Sequence, residues 1–340
     1  MRNFSIYLRS LGQVSNLGDC FWMGGRLATD LQEISHDPEV LSDGRFWAVV
    51  ITFEGEMTFA RFASVVEEDF PGNSWNGFTG SWKSSFTKED YVSYVEEIRS
   101  LIANGTVYQV NACRVLSIQD SSNDLRGLFS QILLHNPAPW ASYLEIPGVN
   151  IASASPELFF SRNGSLVKTS PIKGTQRLDE TGFGNKDKAE NVMIVDLMRN
   201  DFGRICESGT VEVPRLLANE EHPGLRHLVS DIQGQLRSEL SWKEILDALS
   251  PPGSISGAPK SSALSVIADH ESTRGPYCGA LGWVHGQEAE LSVAIRIFWK
   301  NDGLHFGTGA GITWNSDAEQ EWEETQLKAR KLISIAGGEL

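Results

Sequence analysis

Strand-like and helical patterns follow one another along this chain in no fixed order, and this mixture restricts its fold more than any other sequence feature. The apolar runs at 46–53 and 57–66 predict strands, and residues 87–104 predict a helix with Thr87 as its N-cap. Residues 109–118 then alternate in the period of a strand. Since no regular strand–helix–strand repeat emerges, we predict a large α+β domain with antiparallel sheets.

The remaining predicted elements continue this mixture. Further strands are predicted at 141–145, 158–162, 280–284 and 292–299, and further helices at 186–199, 242–249, 260–270 and 318–335. The sequence contains no internal repeat, low-complexity tract or long Gly/Ser linker. The chain is therefore predicted to be continuous, without a flexible joint between separate parts.

The charge balance excludes one class of partner and sets a condition on another. The chain has 29 Lys and Arg against 44 Asp and Glu, a formal net charge of −15. Such a field repels nucleic acid and anionic membranes, so neither is expected as a partner. It also repels a small anionic substrate. A site for one would therefore need a bound cation or a local group of Arg and Lys.

Cysteine usage and the apolar runs point to one compartment. The four cysteines are widely spaced and form no CxxC pair, so neither a disulfide framework nor a zinc site is predicted. The N-terminus lacks the apolar core of a signal peptide, and the longest apolar run, 46–53, is too short to span a bilayer. The protein is expected in a reducing cytoplasm.

The predicted helix at 318–335 carries charged side chains on one face. Glu321, Glu324 and Lys328 are three and then four residues apart, which puts them on the same side of a helix. One interpretation is a solvated face on which Glu324 and Lys328 form an ordinary ion pair. The other is that these carboxylates bind a cation.

A second predicted helix, at 186–199, favours the cation. Asp187 and Glu190 lie one turn apart, while most of the remaining helix surface is apolar. A helix this apolar is predicted to be buried, and buried carboxylates need a cation because an unpaired buried charge is very costly. Two acidic turns that face each other would suit Mg²⁺, which takes oxygen ligands and often only one or two carboxylates. No His or Cys lies near enough in the sequence to favour zinc.

Two glycine-rich segments, 250–262 and 307–313, are predicted to be loops. The first lacks the Gly-Lys pair of a phosphate-binding loop, since a proline precedes the lysine. Backbone N–H groups at Gly257 and Ala258 could still hold a carboxylate, although each segment taken alone is also typical of a tight turn. Arg296 lies between them in an apolar alternating run, which predicts a fixed anion as its partner.

Lys173 is the candidate nucleophile. It lies between Pro171-Ile172 and Gly174-Thr175, which predicts a stiff turn. A lysine in a desolvated pocket loses basicity and becomes nucleophilic near neutral pH. The alternative is a lysine on a surface turn. His227 is either a general acid or a satisfied core histidine.

Taken together, these segments resemble the chorismate-utilising enzymes over about residues 90–331. The motifs occur in the family's order: YQVN, SASPELFF, PIKGT, KAENVMIVDLMRND, HLVS, GSISGAPK, AIR, GTGAGI and EWEET. The resemblance implies one large α+β domain in which two antiparallel sheets pack together with helices on the outside. It also implies that residues 1–85 are a shortened N-terminal part of this sandwich and that 86–340 form the catalytic core of the same globular unit.

The resemblance also implies a site. Mg²⁺ would be bound by Glu190 and Glu324, with Asp187 and Glu321 as acidic neighbours, and would hold the ring carboxylate of chorismate. His227 would approach the 4-hydroxyl that leaves. The enolpyruvyl carboxylate would meet Arg296, Tyr277 and the N–H groups of Gly309, Ala310 and Gly311. Ser256, Gly257 and Ala258 would line the pocket, and Lys328 would lie beside the metal-bound carboxylate.

Two positions distinguish reactions within the family. Gln109 stands where isochorismate and salicylate synthases carry a lysine base, so activation of water is disfavoured. Lys173 stands where the anthranilate-forming enzymes typically carry alanine. The resemblance therefore implies amination of chorismate at C4 through a covalent Lys173 intermediate, on the route to p-aminobenzoate and folate. Ammonia would come from a separate glutamine amidotransferase subunit.

Three alternatives stay open at this point. Within the family, the chain could form anthranilate instead. Outside it, the chain could be a non-catalytic subunit that only binds the amidotransferase, although Glu190, Glu324 and Lys173 are all present. A Mg²⁺-dependent nucleotide enzyme is the third, which thermal stabilisation by ATP would reveal.

Overall fold

The computed structural model of the protein describes residues 18–119, 124–178, 182–222 and 225–340. Within these ranges the helices are α1 Lys88–Ala103, α2 Leu125–His135, α3 Asn185–Gly203, α4 Trp242–Leu249, α5 Lys260–His270 and α6 Ala318–Ala336. Two short 3-10 helices lie at Pro38–Asp43 and Gly253–Ile255. None of the helices in these ranges has the length and apolar character needed to cross a bilayer.

The strands of the described residues are numbered in chain order. The first ten are β1 Cys20–Met23, β2 Arg26–Ser35, β3 Phe46–Ile51, β4 Met57–Glu67, β5 Phe78–Ser81, β6 Lys83–Ser84, β7 Gln109–Ile118, β8 Trp140–Ile146, β9 Val149–Ser155 and β10 Leu158–Asn163. The others are β11 Leu166–Ser170, β12 Ile172–Arg177, β13 Glu212–His222, β14 Leu225–Gln235, β15 Gly257–Ala258, β16 Ala280–His285, β17 Glu288–Val293, β18 Ile297–Lys300, β19 Leu304–Ile312 and β20 Gly337–Glu339.

Within the described ranges, all strands except β5 and β20 belong to one antiparallel hydrogen-bonded system with two arms. In the first arm β7, flanked by β6 and β15, pairs with β19, and the order continues through β18, β9 and β8 to β1. The second arm runs β2-β4-β3-β16-β17-β10-β11-β14, and β14 also pairs with β12 and β13. The β1–β2 hairpin joins the two arms.

The inner faces of the two arms share one hydrophobic core. This cluster contains Val110 and Ala310 from the first arm and Val49 and Leu281 from the second. Because these side chains leave water together, the two arms are held face to face by hydrophobic burial. The predicted α+β fold with two packed antiparallel sheets is confirmed, with the addition that a hairpin connects the sheets.

Helices α2 and α6 cover the outer face of the first arm. Leu128 of α2 and Leu332 of α6 are buried with Phe298 and Phe306 in a second hydrophobic cluster. Side chains alternate along the strands between the two clusters, as Tyr143 and Leu144 of β8 illustrate. Helix α6 is therefore held against β19, which brings its acidic N-terminal half next to the glycines of that strand.

Several helices begin where the sequence predicts them. Thr87 caps α1, since its side chain accepts a hydrogen bond from the N–H of Asp90. Helices α4 and α5 have the predicted bounds, and α6 is one residue longer than predicted. Helix α2, in contrast, was not predicted.

The predicted strand at 292–299 is wrong in one respect. Strand β17 ends at Val293 and β18 begins at Ile297, so the chain leaves the sheet between them. Arg296 lies in this break with a φ of 51°, a left-handed conformation that a regular strand cannot contain. Arg296 is therefore at a junction between strands rather than inside one.

Candidate active site

The acidic turns of α3 and α6 lie side by side. Nζ of Lys186 is 3.9 Å from Oε1 of Glu190 on its own helix and 3.7 Å from Oε1 of Glu321 on α6. One ammonium group therefore reaches carboxylates of both helices. The facing of two distant acidic turns, on which the sequence interpretation depends, is present in the fold.

The carboxylates of this group differ in environment. Burial, together with the charges of Glu321 and Glu324, raises the pKa of Glu190. Burial also raises the pKa of Glu321, whose residue surface is only 3% exposed. The pKa of Glu324 is lowered instead, chiefly by Lys328, whose Nζ lies 2.6 Å from Oε1 of Glu324. Three neighbouring carboxylates thus repel one another in a partly desolvated place.

This arrangement fits a divalent cation. Oε1 of Glu190 is buried and has no hydrogen-bond partner among the described residues, which is costly unless a cation or water binds it. Within those residues, no group of three or more His, Cys, Asp or Glu side chains meets the criteria of a metal site. Mg²⁺ needs fewer protein ligands, because it keeps several waters and often takes one or two carboxylates.

Asp187 is occupied elsewhere. Its Oδ2 accepts a hydrogen bond of 3.1 Å from the N–H of Gly184 and so caps the beginning of α3. The sequence interpretation treats Asp187 as a possible direct or water-mediated ligand. The structure gives its carboxylate a capping function, and its contact with a metal ion stays a prediction.

Lys173 lies in β12 and not in the predicted stiff turn. The pairing of β12 with β14 is irregular between Ile172 and Thr175, and Gly174 has a φ of 81°. This bulge, which sequence spacing cannot distinguish from a turn, re-aims the lysine side chain. Its Nζ donates a hydrogen bond of 3.0 Å to the carbonyl of Ser254.

The amine of Lys173 lies next to the glycine-rich strand. A β-carbon added to Gly311 would lie 3.9 Å from Nζ of Lys173 and 2.4 Å from Nε2 of Gln109. Burial lowers the pKa of Lys173, and Lys328 lowers it further, whereas Glu157, Glu190 and Glu324 raise it. The net direction favours the neutral, nucleophilic amine.

Glu157 is a site residue that sequence analysis missed. It lies between β9 and β10, is 4% exposed, and accepts a hydrogen bond of 2.7 Å from Oγ of Ser254. Burial raises its pKa to about 6, although Ser254, Lys173 and Arg296 lower it. The available signal was a single charged residue, a glutamate, inside the motif SASPELFF.

Arg296 makes no side-chain hydrogen bond or close ion pair with another described residue. Burial lowers its pKa, and the charge of Glu157, which lies in the same site, opposes this lowering. Its left-handed backbone is a strained conformation of the kind that clusters at ligand sites. A partly desolvated arginine without a protein partner is suited to bind a carboxylate.

The segment 307–313 is not the predicted loop, because residues 304–312 form β19. Gly309, Ala310 and Gly311 pair with residues 113, 112 and 111 of β7. A β-carbon on Gly309 would lie 2.6 Å from Sγ of Cys113, so glycine permits this close pairing. Nζ of Lys328 donates a hydrogen bond of 2.9 Å to the carbonyl of Gly309, which connects α6 with this strand.

The other predicted residues surround this centre. His227 is buried in β14 opposite Thr175 of β12. Gly257 and Ala258 form β15 beside Val110 and Gln109 of β7.

Two buried hydroxyl groups are turned toward the protein. Oγ of Ser256 donates a hydrogen bond to the carbonyl of Pro252 at 3.1 Å. The Tyr277 hydroxyl lies 3.8 Å from Sγ of Cys113, and burial raises its pKa well above the ordinary value. The ring of Tyr277 fills the space that a side chain at residue 307 would need, which explains the glycine there. The predicted contact of Tyr277 with a substrate carboxylate stays a prediction.

Comparison with known proteins identifies the family. The sequence profile described as chorismate binding enzyme matches residues 51–334. The chain belongs to this family. Its membership in the chorismate binding enzyme family gives the acidic turns, Arg296 and the partly buried Lys173 a common context.

Individual relatives have two different names. The chain is 34% identical over 268 residues to anthranilate synthase component 1 1 of Haloarcula marismortui, covering 75% of this chain and 55% of that protein. It is 35% identical over 267 residues to aminodeoxychorismate synthase component 1 of Bacillus subtilis, covering 74% and 56%. The matched region thus spans about half the length of these relatives. Sequence similarity does not choose between the two names.

A solved structure supports the fold. Anthranilate synthase component I from Streptococcus pneumoniae superposes with a TM-score of 0.78 at 23% identity, covering 97% of this chain and 94% of that one. At this identity the agreement concerns the fold alone.

Proposed function

We propose that this protein aminates chorismate at C4 to give 4-amino-4-deoxychorismate, with Lys173 as a covalent nucleophile. The observation that carries the proposal is the position of the Lys173 amine, with its lowered pKa, beside Gly311 and Gln109. A lysine that only paired with a surface acid would have a raised pKa. Desolvation is the usual way in which proteins make a lysine nucleophilic near neutral pH.

Local cations would overcome the repulsion between an acidic protein and a dianionic substrate. Arg296 binds the enolpyruvyl carboxylate, since its guanidinium has no partner among the described residues. Glu190 and Glu324 hold Mg²⁺, which when bound supplies positive charge for the ring carboxylate. Lys328, between Glu324 and the carbonyl of Gly309, adds a further positive charge.

The first step forms a bond between Nζ of Lys173 and C2 of chorismate. Both ring double bonds each shift by one position, from C1=C2 to C1=C6 and from C5=C6 to C4=C5, and the C4–O bond breaks. Protonated Glu157 gives its proton to the departing hydroxyl, which leaves as water. Its pKa of about 6 keeps a fraction of the acid protonated near neutral pH. His227, the sequence candidate for this contact, lies on β14 opposite Thr175 of β12, and its approach to the hydroxyl stays a prediction.

The second step reverses these shifts. Ammonia attacks C4, both double bonds return to their original positions, and the bond between Lys173 and C2 breaks with its electron pair going to the lysine nitrogen. The excess proton of the new ammonium group passes to the Glu157 carboxylate, so the acid is restored for the next turnover. The sum is chorismate plus ammonia giving 4-amino-4-deoxychorismate plus water.

The ammonia source and the cellular setting are also part of the proposal. A separate glutamine amidotransferase subunit supplies ammonia, and a lyase converts the product to p-aminobenzoate for folate synthesis. The four cysteines are buried free thiols. This usage is typical of a protein that works in the reducing cytoplasm.

Anthranilate formation is the second candidate, because a relative of that name is as similar as the relative named for C4 amination. The test is incubation with chorismate, Mg²⁺ and ammonium, followed by mass spectrometry of the product and of a peptide containing Lys173. We expect 4-amino-4-deoxychorismate and a substrate adduct on Lys173. Blue anthranilate fluorescence without any added lyase would contradict the proposal.

Substitution of Lys173 gives the matched experiment. Lys173→Ala is expected to reduce C4 amination by at least about a hundredfold, since it removes a covalent nucleophile. Lys188→Ala removes an exposed lysine of α3 that has no ion pair among the described residues, and serves as the control. Unchanged amination by Lys173→Ala would refute the covalent route.

A further inference from the structure

Among the described residues, Ser254 alone hydrogen-bonds both the Lys173 amine and the Glu157 carboxyl. Its carbonyl accepts the hydrogen bond from Nζ of Lys173 at 3.0 Å, and its Oγ donates to Oε1 of Glu157 at 2.7 Å. The residue is 4% exposed. These two bonds set the direction of the amine and the rotation of the carboxyl from a single residue.

The segment that carries Ser254 is fixed from outside the site. A β-carbon on Gly253 would lie 2.8 Å from Cδ2 of Leu197, so α3 packs directly against this turn. At the end of the same segment, Nζ of Lys260 binds Oδ2 of Asp201 on α3 at 2.7 Å. The helix that carries Glu190 therefore also anchors the Ser254 turn.

The Ser254 hydroxyl has a measurable effect on the pKa of Glu157. The groups that face this carboxyl are the cations Lys173 and Arg296, the N–H of Ile172 and the hydroxyl of Ser254. Burial favours the neutral acid, whereas all four of these groups favour the carboxylate. Loss of the Ser254 hydroxyl should therefore raise the pKa of Glu157 further.

We propose that Ser254 is a positioning residue that holds the nucleophilic amine and the acid in one arrangement and controls which of them carries their shared proton. The inference rests on the proposed function, in which Lys173 is neutral and Glu157 protonated at the moment of attack. In that state the amine and the carboxyl together carry one proton. At low pH they carry two, so the rise of kcat with pH on the acidic side (the acidic limb) reports loss of one of these two protons. The midpoint of this rise is set by the pKa of Glu157.

The experiment compares Ser254→Ala, which keeps the backbone carbonyl but removes the hydroxyl, with Ser254→Thr, which keeps both. Ser130→Ala is the matched control, since it removes an equally buried hydroxyl from α2 that bonds only backbone groups. Rates with ammonium are measured from pH 5 to pH 9, where pH 5 and pH 9 lie about one unit below and three units above the Glu157 midpoint.

We expect Ser254→Ala to lower kcat by about tenfold or more and to change KM for chorismate by less than about threefold, because it disturbs alignment rather than binding. The acidic limb should move to higher pH. Ser254→Thr should restore both quantities, and Ser130→Ala should leave both unchanged. An acidic limb that stays in place in Ser254→Ala, or a loss of kcat that Ser130→Ala reproduces, would overturn the inference.

A second readout separates this inference from the reaction itself. Protein labelled with ¹³C at the glutamate carboxyl carbon is titrated by NMR without substrate, and the Glu157 signal is assigned by its absence in Glu157→Gln. The midpoint should rise in Ser254→Ala and stay near the wild-type value in Ser254→Thr. If the product were anthranilate, the proposed function would be refuted, but this titration would still test the influence of Ser254 on the pKa of Glu157. A midpoint that is the same in Ser254→Ala and wild type would overturn the inference about Ser254.

Discussion

Glu157 makes a prediction about stability that does not depend on catalysis. Its folded-state pKa of about 6 lies above the ordinary value of 4.5, so between these values the folded protein holds a proton that the unfolded chain releases. The stability due to protonated Glu157 is therefore fully present below pH 4.5 and is lost as the pH rises toward 6. A shift of this size corresponds to about 2 kcal/mol.

Denaturation at several pH values tests whether the stability due to Glu157 falls or rises with pH. The free energy of unfolding of wild type, measured relative to Glu157→Gln, should fall by about 2 kcal/mol from the acidic to the neutral side of this range. Glutamine remains neutral and cannot show this dependence. A relative stability that rose with pH would mean that Glu157 is held as the carboxylate, against the burial observed here.

Lys186 leads to a prediction about the cation. Its ammonium lies near Glu190, a proposed ligand of Mg²⁺, and near the neighbouring Glu321, so it would compete with the metal ion for the Glu190 carboxylate. Lys186→Met should therefore tighten Mn²⁺ binding, measured by electron paramagnetic resonance, by about threefold to tenfold, since exposed charges are partly screened. Lys188→Met changes the net charge equally from the same helix and should have a smaller effect. If both variants tightened Mn²⁺ binding equally, only the net charge of the protein would be acting, and Lys186 would not compete with the ion.

At the scale of elements, the ion pair between α3 and α5 holds the segment that carries Ser254. Asp201 is 2% exposed, and its Oδ2 binds Nζ of Lys260 at 2.7 Å. Asp201→Asn removes the carboxylate partner of this largely buried ammonium and should cost about 3 kcal/mol, as should Lys260→Met, which leaves the buried carboxylate unpaired. The double variant should cost clearly less than the sum, and urea unfolding of all four proteins measures this coupling. Additive losses would show that the pair does not act as a unit.

Prediction from sequence succeeded where the signal was local. Helix α1 has a Thr87 cap and a regular apolar stripe, so both its position and its start could be predicted. It failed where tertiary pairing decides the structure. The glycines of β19 are typical of a loop until the close approach of β7 is known, and the bulge in β12 turns a predicted turn at Lys173 into a strand.

The candidate site also combines residues that a local sequence signal could predict with residues that depend on tertiary contacts. The carboxylates of α3 and α6 could be paired in advance because a buried acidic helix needs a cation. Glu157 could not be selected, because its importance comes from burial beside Ser254 and Lys173, which are distant in sequence. Helix α2 was missed because it carries a glycine within its apolar stretch, which weakens the helical signal.

At the scale of the whole molecule, the fold gathers basic side chains from distant segments within an acidic protein. Lys173 comes from β12, Arg296 from the junction of β17 and β18, and Lys328 from α6, while the formal net charge of the chain is −15. These segments converge because the two arms share one core. The candidate site is thus formed by the sandwich as a unit rather than by any single segment.

The core that the two arms share predicts how the chain unfolds and whether residues 86–340 can fold without residues 1–85. Strands of the first 85 residues complete both arms, since β3 pairs with β16 and β1 pairs with β8. A fragment of residues 86–340 would expose the edges of β8 and β16 together with the apolar faces that β1 to β4 cover, and such edges promote aggregation.

We expect the full chain to unfold in one transition, with coincident far- and near-ultraviolet circular dichroism, because the inner core is shared. The fragment should lack a cooperative transition, and addition of residues 1–85 should restore it. A sharp unfolding transition in the isolated fragment would show instead that the core of the site folds without its N-terminal strands.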